Sequence, residues 1–145
     1  MPSWRGGRTR PATHAGRCLW GAATIAIERD PIGARTCLCR DCQKFGGGNG
    51  TTNAFFAEED VSYEGELTWF ESTADSGNTT WRAFCPACGS HIFTRGSGRP
   101  DLIGVRLGAL DDSELIAPQA VIWTDSAPAW LAIDPSLPRF PKAPR

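Results

Sequence analysis

Between Ala22 and Glu28 the chain reads A-A-T-I-A-I-E, apolar and polar positions alternating until the turn signal D-P-I-G interrupts them. A period of two sends successive side chains to opposite faces of a strand, so this stretch predicts a half-buried β-strand. Thr51 to Ala57 (T-T-N-A-F-F-A) predicts a second, ended by the acidic break E-E-D. Leu67 to Ser72 and Thr79 to Phe84 flank S-T-A-D-S-G-N, a polar, glycine-containing link that suits a hairpin with a longer loop. Ser90 to Arg95, Leu102 to Leu107 and Ala120 to Thr124 complete the set of predicted strands. Helical periodicity is weak throughout. A-L-D-D-S-E-L predicts at most a turn or two of helix, with Asp111 or Asp112 as the N-cap. Glycine and proline cut the remaining sequence into short pieces, as in an all-β domain.

Length and charge narrow this picture. A chain of 145 residues buries one core rather than two. The formal net charge of -1 argues against a general polyanion-binding surface and so against nucleic acid as a partner. The local exception is Met1 to Arg17, where Arg5, Arg8, Arg10 and Arg17 stand without an acidic residue among Gly, Pro, Thr and Ser; this reads as a solvated arm. The expected organisation is a basic arm over residues 1–13, one domain over 14–141 and a tail over 142–145. No apolar run approaches the roughly 18 residues needed to span a bilayer, and the first residues lack the roughly 7–15-residue apolar core of a secretory signal. A cytoplasmic setting is therefore expected. Such a compartment keeps thiols reduced, so clustered cysteines there point to metal or catalysis before disulfides.

The six cysteines are Cys18, then Cys37, Cys39 and Cys42, then Cys85 and Cys88. Cys85-Pro-Ala-Cys88-Gly89 is a C-x-x-C-G turn, two thiolates aimed at one ion with a glycine free to take the positive φ that folds the backbone beneath it. A thioredoxin-like redox pair competes, but S-H-I-F-T-R after Gly89 reads as a strand, where that motif requires a helix. In C-L-C-R-D-C, residues i and i+2 of a strand share a face, and a turn through Arg40 and Asp41 brings Cys42 to the same point. Three local thiolates leave a tetrahedral ion one open position, the mark of catalytic sites; recruitment of a distant cysteine would close it as a structural staple. Three disulfides are a further alternative.

Four separated segments, G-R-C-L-W-G-A (Gly16–Ala22), C-L-C-R-D-C (Cys37–Cys42), F-C-P-A-C-G-S (Phe84–Ser90) and I-W-T-D-S-A-P-A-W (Ile122–Trp130) followed by L-P-R-F-P, together resemble the glutathione-dependent formaldehyde-activating enzyme family, which includes centromere protein V. The resemblance covers His14 to Pro141. It implies an Mss4-like, all-β fold of short antiparallel strands and one or two zinc ions. Cys37, Cys39 and Cys42 become the catalytic ligands, and Cys18, Cys85 and Cys88 the structural ones. The implied reaction is that of a carbon–sulfur lyase, joining or cleaving a glutathione-like thiol and a small aldehyde. Two positions depart from the family pattern. Trp20 stands where a second structural cysteine is usual, and an indole, being only an N–H donor, cannot ligate zinc but can pack beside sulfurs. Leu38 replaces a common histidine and offers no donor for a ligand-tuning hydrogen bond.

Other candidates surround these motifs. Trp123, Thr124, Ser126 and Trp130 are expected near the mouth of the site or, for the tryptophans, in the core. Arg40, between two ligands, suits a substrate carboxylate or a solvated surface. His91, ahead of His14, is the candidate for a missing fourth ligand. The rival to an enzyme is a zinc module that only holds the fold while a surface binds a protein or nucleic-acid partner.

Overall fold

The computed structural model describes residues 13–144, and the basic arm expected at the N-terminus lies outside them for all but its last residues. Of that arm, His14–Arg17 forms strand β1 rather than solvated chain. It pairs antiparallel with β2 (Thr24–Ile27), which pairs in turn with β5 (Val61–Glu64). These three strands make a small sheet.

A second sheet has seven strands, in the order β10 (Val121–Ile122), β3 (Gly33–Cys37), β4 (Thr51–Ala57), β9 (Leu102–Arg106), β8 (His91–Gly96), β7 (Thr79–Phe84) and β6 (Thr68–Thr73). The bounds of β4 and β7 coincide with the expected ones, and β2, β6, β8, β9 and β10 are trimmed or shifted. All its pairings are antiparallel except that of β10 with β3, which is parallel and makes the sheet mixed. The chain is all-β, as its alternation predicts. β3 and β5 were not predicted, because G-A-R-T-C and V-S-Y-E hold too few apolar residues to announce a strand.

A-L-D-D-S-E-L forms no helix. Leu107–Ala109 makes a single 3-10 turn, and beyond it the Asp112 carboxylate accepts from the Glu114 N–H in a local turn. That side chain satisfies the backbone in a non-helical conformation, which is how aspartate competes with helix. The only α-helix among the described residues is α1, Arg40–Phe45. No helix among them is long and apolar enough to cross a membrane.

Pleating divides the large sheet into two faces. Ala34, Ala54, Phe56, Ala83, Phe93, Ile103 and Val105 are buried on one face, in a core that also takes Ile25, Ile27 and Val61 from the small sheet. Their neighbours Arg35, Cys37, Asn53, Phe55, Arg82 and Arg106 line a cavity on the other. The chain after β10 closes the end of this cavity. Trp123 N–H donates to the Lys142 carbonyl and Ala143 lines the wall, so residues expected to form a tail lie against the domain.

Phe56 is 1% exposed at the centre of the core. Phe56→Ala is expected to cost ~3–5 kcal/mol in urea unfolding through lost burial and the cavity left behind. A loss below ~1 kcal/mol would mean that the two sheets do not close on this residue.

Candidate metal centre

Cys37 ends β3, held between Thr51 of β4 and Ile122 of β10. Leu38 continues the line, its N–H donating to the Ile122 carbonyl and its side chain fully buried. Cys39 then caps α1, with its sulfur accepting from the Cys42 N–H at 3.4 Å. The expected turn through Arg40 and Asp41 is the first turn of that helix, and it carries Cys42 back toward Cys37 and Cys39. The three sulfurs lie within 4.8 Å of one another. The return to β4 runs through G-G-G-N-G, where Gly50 has φ +75 and a Cβ would sit 2.3 Å from the Cys37 carbonyl oxygen. Only glycine fits so close to a ligand-bearing backbone.

Gln43 fixes the helix to its surroundings. Its buried amide donates to the Leu38 carbonyl and to the Ser126 carbonyl, at 2.8 Å each, and its oxygen accepts from Arg40. One side chain thereby ties the cysteine segment to the residue 122–126 segment. Nothing in the sequence singled it out, because a glutamine between helical neighbours reads as surface.

The cavity has a volume of about 380 Å³, and all three of these cysteines open onto it. Arg40, Trp123 and Ser126 also line it. Trp123 does so in the left-handed region, φ 59, which turns the chain sharply after β10. Thr124 does not line it; its hydroxyl donates to the Phe140 carbonyl at 3.2 Å. Trp130 is 68% exposed and stands outside the lining rather than in the core.

The thiols behave as one titrating unit. Cys42 is drawn down to about 2, first by hydrogen bonds from the Cys37 and Cys39 sulfurs. Cys37 is pushed far up by its bonds to Cys39 and Cys42 and then by burial. Cys39 is raised: the bond from Cys37 favours its thiolate, but the bond to Cys42 and burial prevail. One thiolate is thus stabilised by two neighbours that keep their protons. Full ionisation of all three requires a cation among them. Tetrahedral zinc with sulfur at 2.3 Å needs sulfurs about 3.8 Å apart, a spacing this cluster accommodates. The six cysteines are free and fall into two groups of three, an odd number in each that cannot pair off as three disulfides.

Cys18, Cys85 and Cys88 form a second cluster, also within 4.8 Å. Cys18 sits in the β1–β2 turn and accepts from the Ala23 N–H at 3.3 Å. Cys85 and Cys88 occupy the β7–β8 turn, where Gly89 takes φ +77 and donates to the Cys85 carbonyl. Cys88 is lowered to about 6, first by the Ser90 hydroxyl, then by the backbone N–H groups of Ser90 and Trp20. Donors aimed at sulfur favour thiolate, so this set too fits a metal. β8 follows directly, with no helix of the kind a redox pair requires. Trp20 does not pack on the sulfurs: it is 72% exposed and contributes only its backbone N–H.

Neither histidine lies in either cluster. His14 is buried beside Phe56 and bonded to Asp30 at 3.0 Å. His91 packs edge-on against Phe45, its pKa lowered by burial and then by Arg106.

The model of the glutathione-dependent formaldehyde-activating enzyme family matches residues 13–126. A crystal structure of a Rhodobacter sphaeroides protein is similar in fold, with a TM-score of 0.56 and 18% identity, covering 87% of this chain and 98% of that one. No curated protein matches the sequence.

Two substitutions probe the clusters. Gln43→Leu strands two carbonyls, at ~1–3 kcal/mol for each left unsatisfied, and is expected to weaken metal retention against a chelator roughly tenfold or more. Unchanged retention would show that Gln43 does not position the ligands. Trp20→Cys adds a thiol beside Cys88 and should slow metal release from the second cluster; release as fast as in the wild type would place residue 20 outside ligand range.

Proposed function

The chain belongs to the glutathione-dependent formaldehyde-activating enzyme family, and we propose that it is a zinc-dependent carbon–sulfur lyase-type enzyme, joining a glutathione-like thiol to a small aldehyde or cleaving the adduct. The carrying observation is that Cys37, Cys39 and Cys42 converge at the wall of a cavity large enough for a small molecule. In this reading these three cysteines would hold a zinc ion at the cavity wall and supply it three protein ligands, with no fourth from the cluster. Cys18, Cys85 and Cys88 hold a second, structural ion. A zinc ion in the first cluster supplies Lewis acidity, favouring thiolate over thiol near neutral pH.

The chain's own residues supply position. Trp123 gives the cavity an apolar wall that limits water. Gln43 keeps α1 and its two cysteines in register with that wall. Holding thiol and carbonyl together replaces an encounter in solution with a local one. In the forward direction one S–C bond forms, the C=O bond becomes single, and the thiol proton ends on the former carbonyl oxygen. Cleavage is the reverse.

The addition also proceeds without an enzyme, so its test is an exchange rate. Magnetisation exchange between glutathione and its formaldehyde adduct should quicken in proportion to added protein, and Cys42→Ser should lose that effect together with one metal equivalent while staying folded. Cys85→Ser should instead lose folding stability, because a structural zinc site can contribute ~10 kcal/mol or more. Exchange equal in wild type and Cys42→Ser would reject the activity and favour a zinc module without catalysis. Equal thermal losses in the two variants would reject the division of roles.

A further inference from the structure

The charge of the cavity is unlike that of the chain. Six arginines line it, Arg35, Arg40, Arg82, Arg95, Arg99 and Arg106, against two aspartates, Asp41 and Asp75, both exposed. Six less two leaves a local excess of four positive charges on a protein whose formal net charge is -1.

Only one of the six is bonded to a carboxylate among the described residues. Arg95 is bonded to Glu58 at 2.7 Å, and Arg40 to the Gln43 amide. The others meet no carboxylate within hydrogen-bond distance among the described residues. Arg106 is 6% exposed and donates to the Asn53 amide oxygen at 2.7 Å, while its Nε has no partner. Arg82, also 6% exposed, donates to the Ser72 hydroxyl at 2.9 Å, lies over the Phe45 ring and reaches Asp41 only at 4.0 Å. Arg35 lies over the Phe55 ring, 5.1 Å from its centroid.

Burying a guanidinium without a counter-charge is costly, and bringing a second beside it costs more. The cysteine cluster offsets part of this. Three thiolates around a divalent cation would carry one net negative charge, enough to balance Arg106; buried Arg82 then has only Asp41 at 4.0 Å, half-buried Arg35 has no carboxylate among the described residues, and exposed Arg40 and Arg99 add to the positive lining. A planar guanidinium matches carboxylate and phosphate oxygens in bidentate geometry, so the missing counter-charge has a definite chemistry.

We propose that this cavity is an anion subsite which selects substrates carrying a doubly negative group, a phosphate or a pair of carboxylates without an ammonium, over thiols such as glutathione, whose two carboxylates are partly offset by an ammonium. The inference rests on the reading that the reaction occurs at Cys37, Cys39 and Cys42, and it names the substrate class for that site. The anionic group sits among Arg82, Arg35 and Arg99, and the reacting end of the same molecule points to the cysteines.

The test is calorimetric titration of the metal-loaded full chain at fixed ionic strength with inorganic phosphate, glutarate, acetate and glutathione. Phosphate or glutarate should bind at least about tenfold more tightly than acetate and glutathione, the difference expected of an added charge-assisted hydrogen bond. The tighter of the two identifies the anionic group. Arg35→Gln/Arg99→Gln changes one half-buried and one exposed side chain and should remove most of that preference without changing metal content. Glutathione binding as tightly as either dianion, or a variant that keeps the preference, overturns the subsite. Metal content and exchange rate report separately on the reaction, so loss of catalysis in Cys42→Ser with dianion binding retained would fault a different claim from loss of binding in the arginine variant.

Discussion

Pleating of the seven-stranded sheet is the constraint on which the rest of the molecule depends. Each strand sends alternate side chains to opposite faces, so a register that buries Ala34, Ala54 and Val105 must present Arg35, Asn53 and Arg106 on the far side. Those three are Cα partners across β3, β4 and β9. A slip of one residue in any of these strands would bury arginine or asparagine in the core and expose alanine or valine to the cavity, which is why hydrophobic burial also holds the chemistry in place. Cys37 is on the cavity face for the same reason, two residues beyond Arg35 on β3.

The two cysteine clusters meet different demands of this architecture. Cys18 comes from a turn of the small sheet, and Cys85 and Cys88 from a turn of the large one, so an ion shared by them would tie the sheets together. Cys37, Cys39 and Cys42 come from one strand end and the helix after it, and join no distant elements. Their sulfurs crowd so closely that only one ionises easily without a cation. Buried Arg106 offsets negative charge in the cluster and is in turn offset by it. Cluster and Arg106 are therefore electrostatically interdependent, and removing either leaves the other's charge unbalanced in a dry wall.

Much of the strand content was legible from alternation, and the convergence of Cys37, Cys39 and Cys42, and of Cys85 with Cys88, from their spacing; that Cys18 joins the latter pair came only from the family resemblance. β3 was hidden because Arg35 and Cys37 serve the cavity and Thr36, on the opposite face, is polar too, so the three together break the apolar signal that marks a strand. α1 was hidden because six residues are too few to show helical periodicity. The cavity arginines lie far apart in sequence, at Arg35, Arg82 and Arg106, and each looks like an ordinary surface charge until strand pairing brings them together. A charged residue at an alternate position of an otherwise apolar strand, as in L-I-G-V-R, was the available signal. Trp20 shows the opposite limit. An indole near buried sulfurs suggests packing, yet the turn that brings the Trp20 N–H to Cys88 leaves its ring in solvent.

The central claim is that Cys37, Cys39 and Cys42 hold a metal with one position open to the cavity. Zinc-edge X-ray absorption with and without glutathione tests it most directly, because it counts sulfur neighbours without relying on turnover. The mean sulfur coordination should rise on adding glutathione to the wild-type protein and stay constant in Cys42→Ser. A coordination number that does not change in the wild type, with the cluster loaded, would mean that the position is closed and the account of this site is wrong.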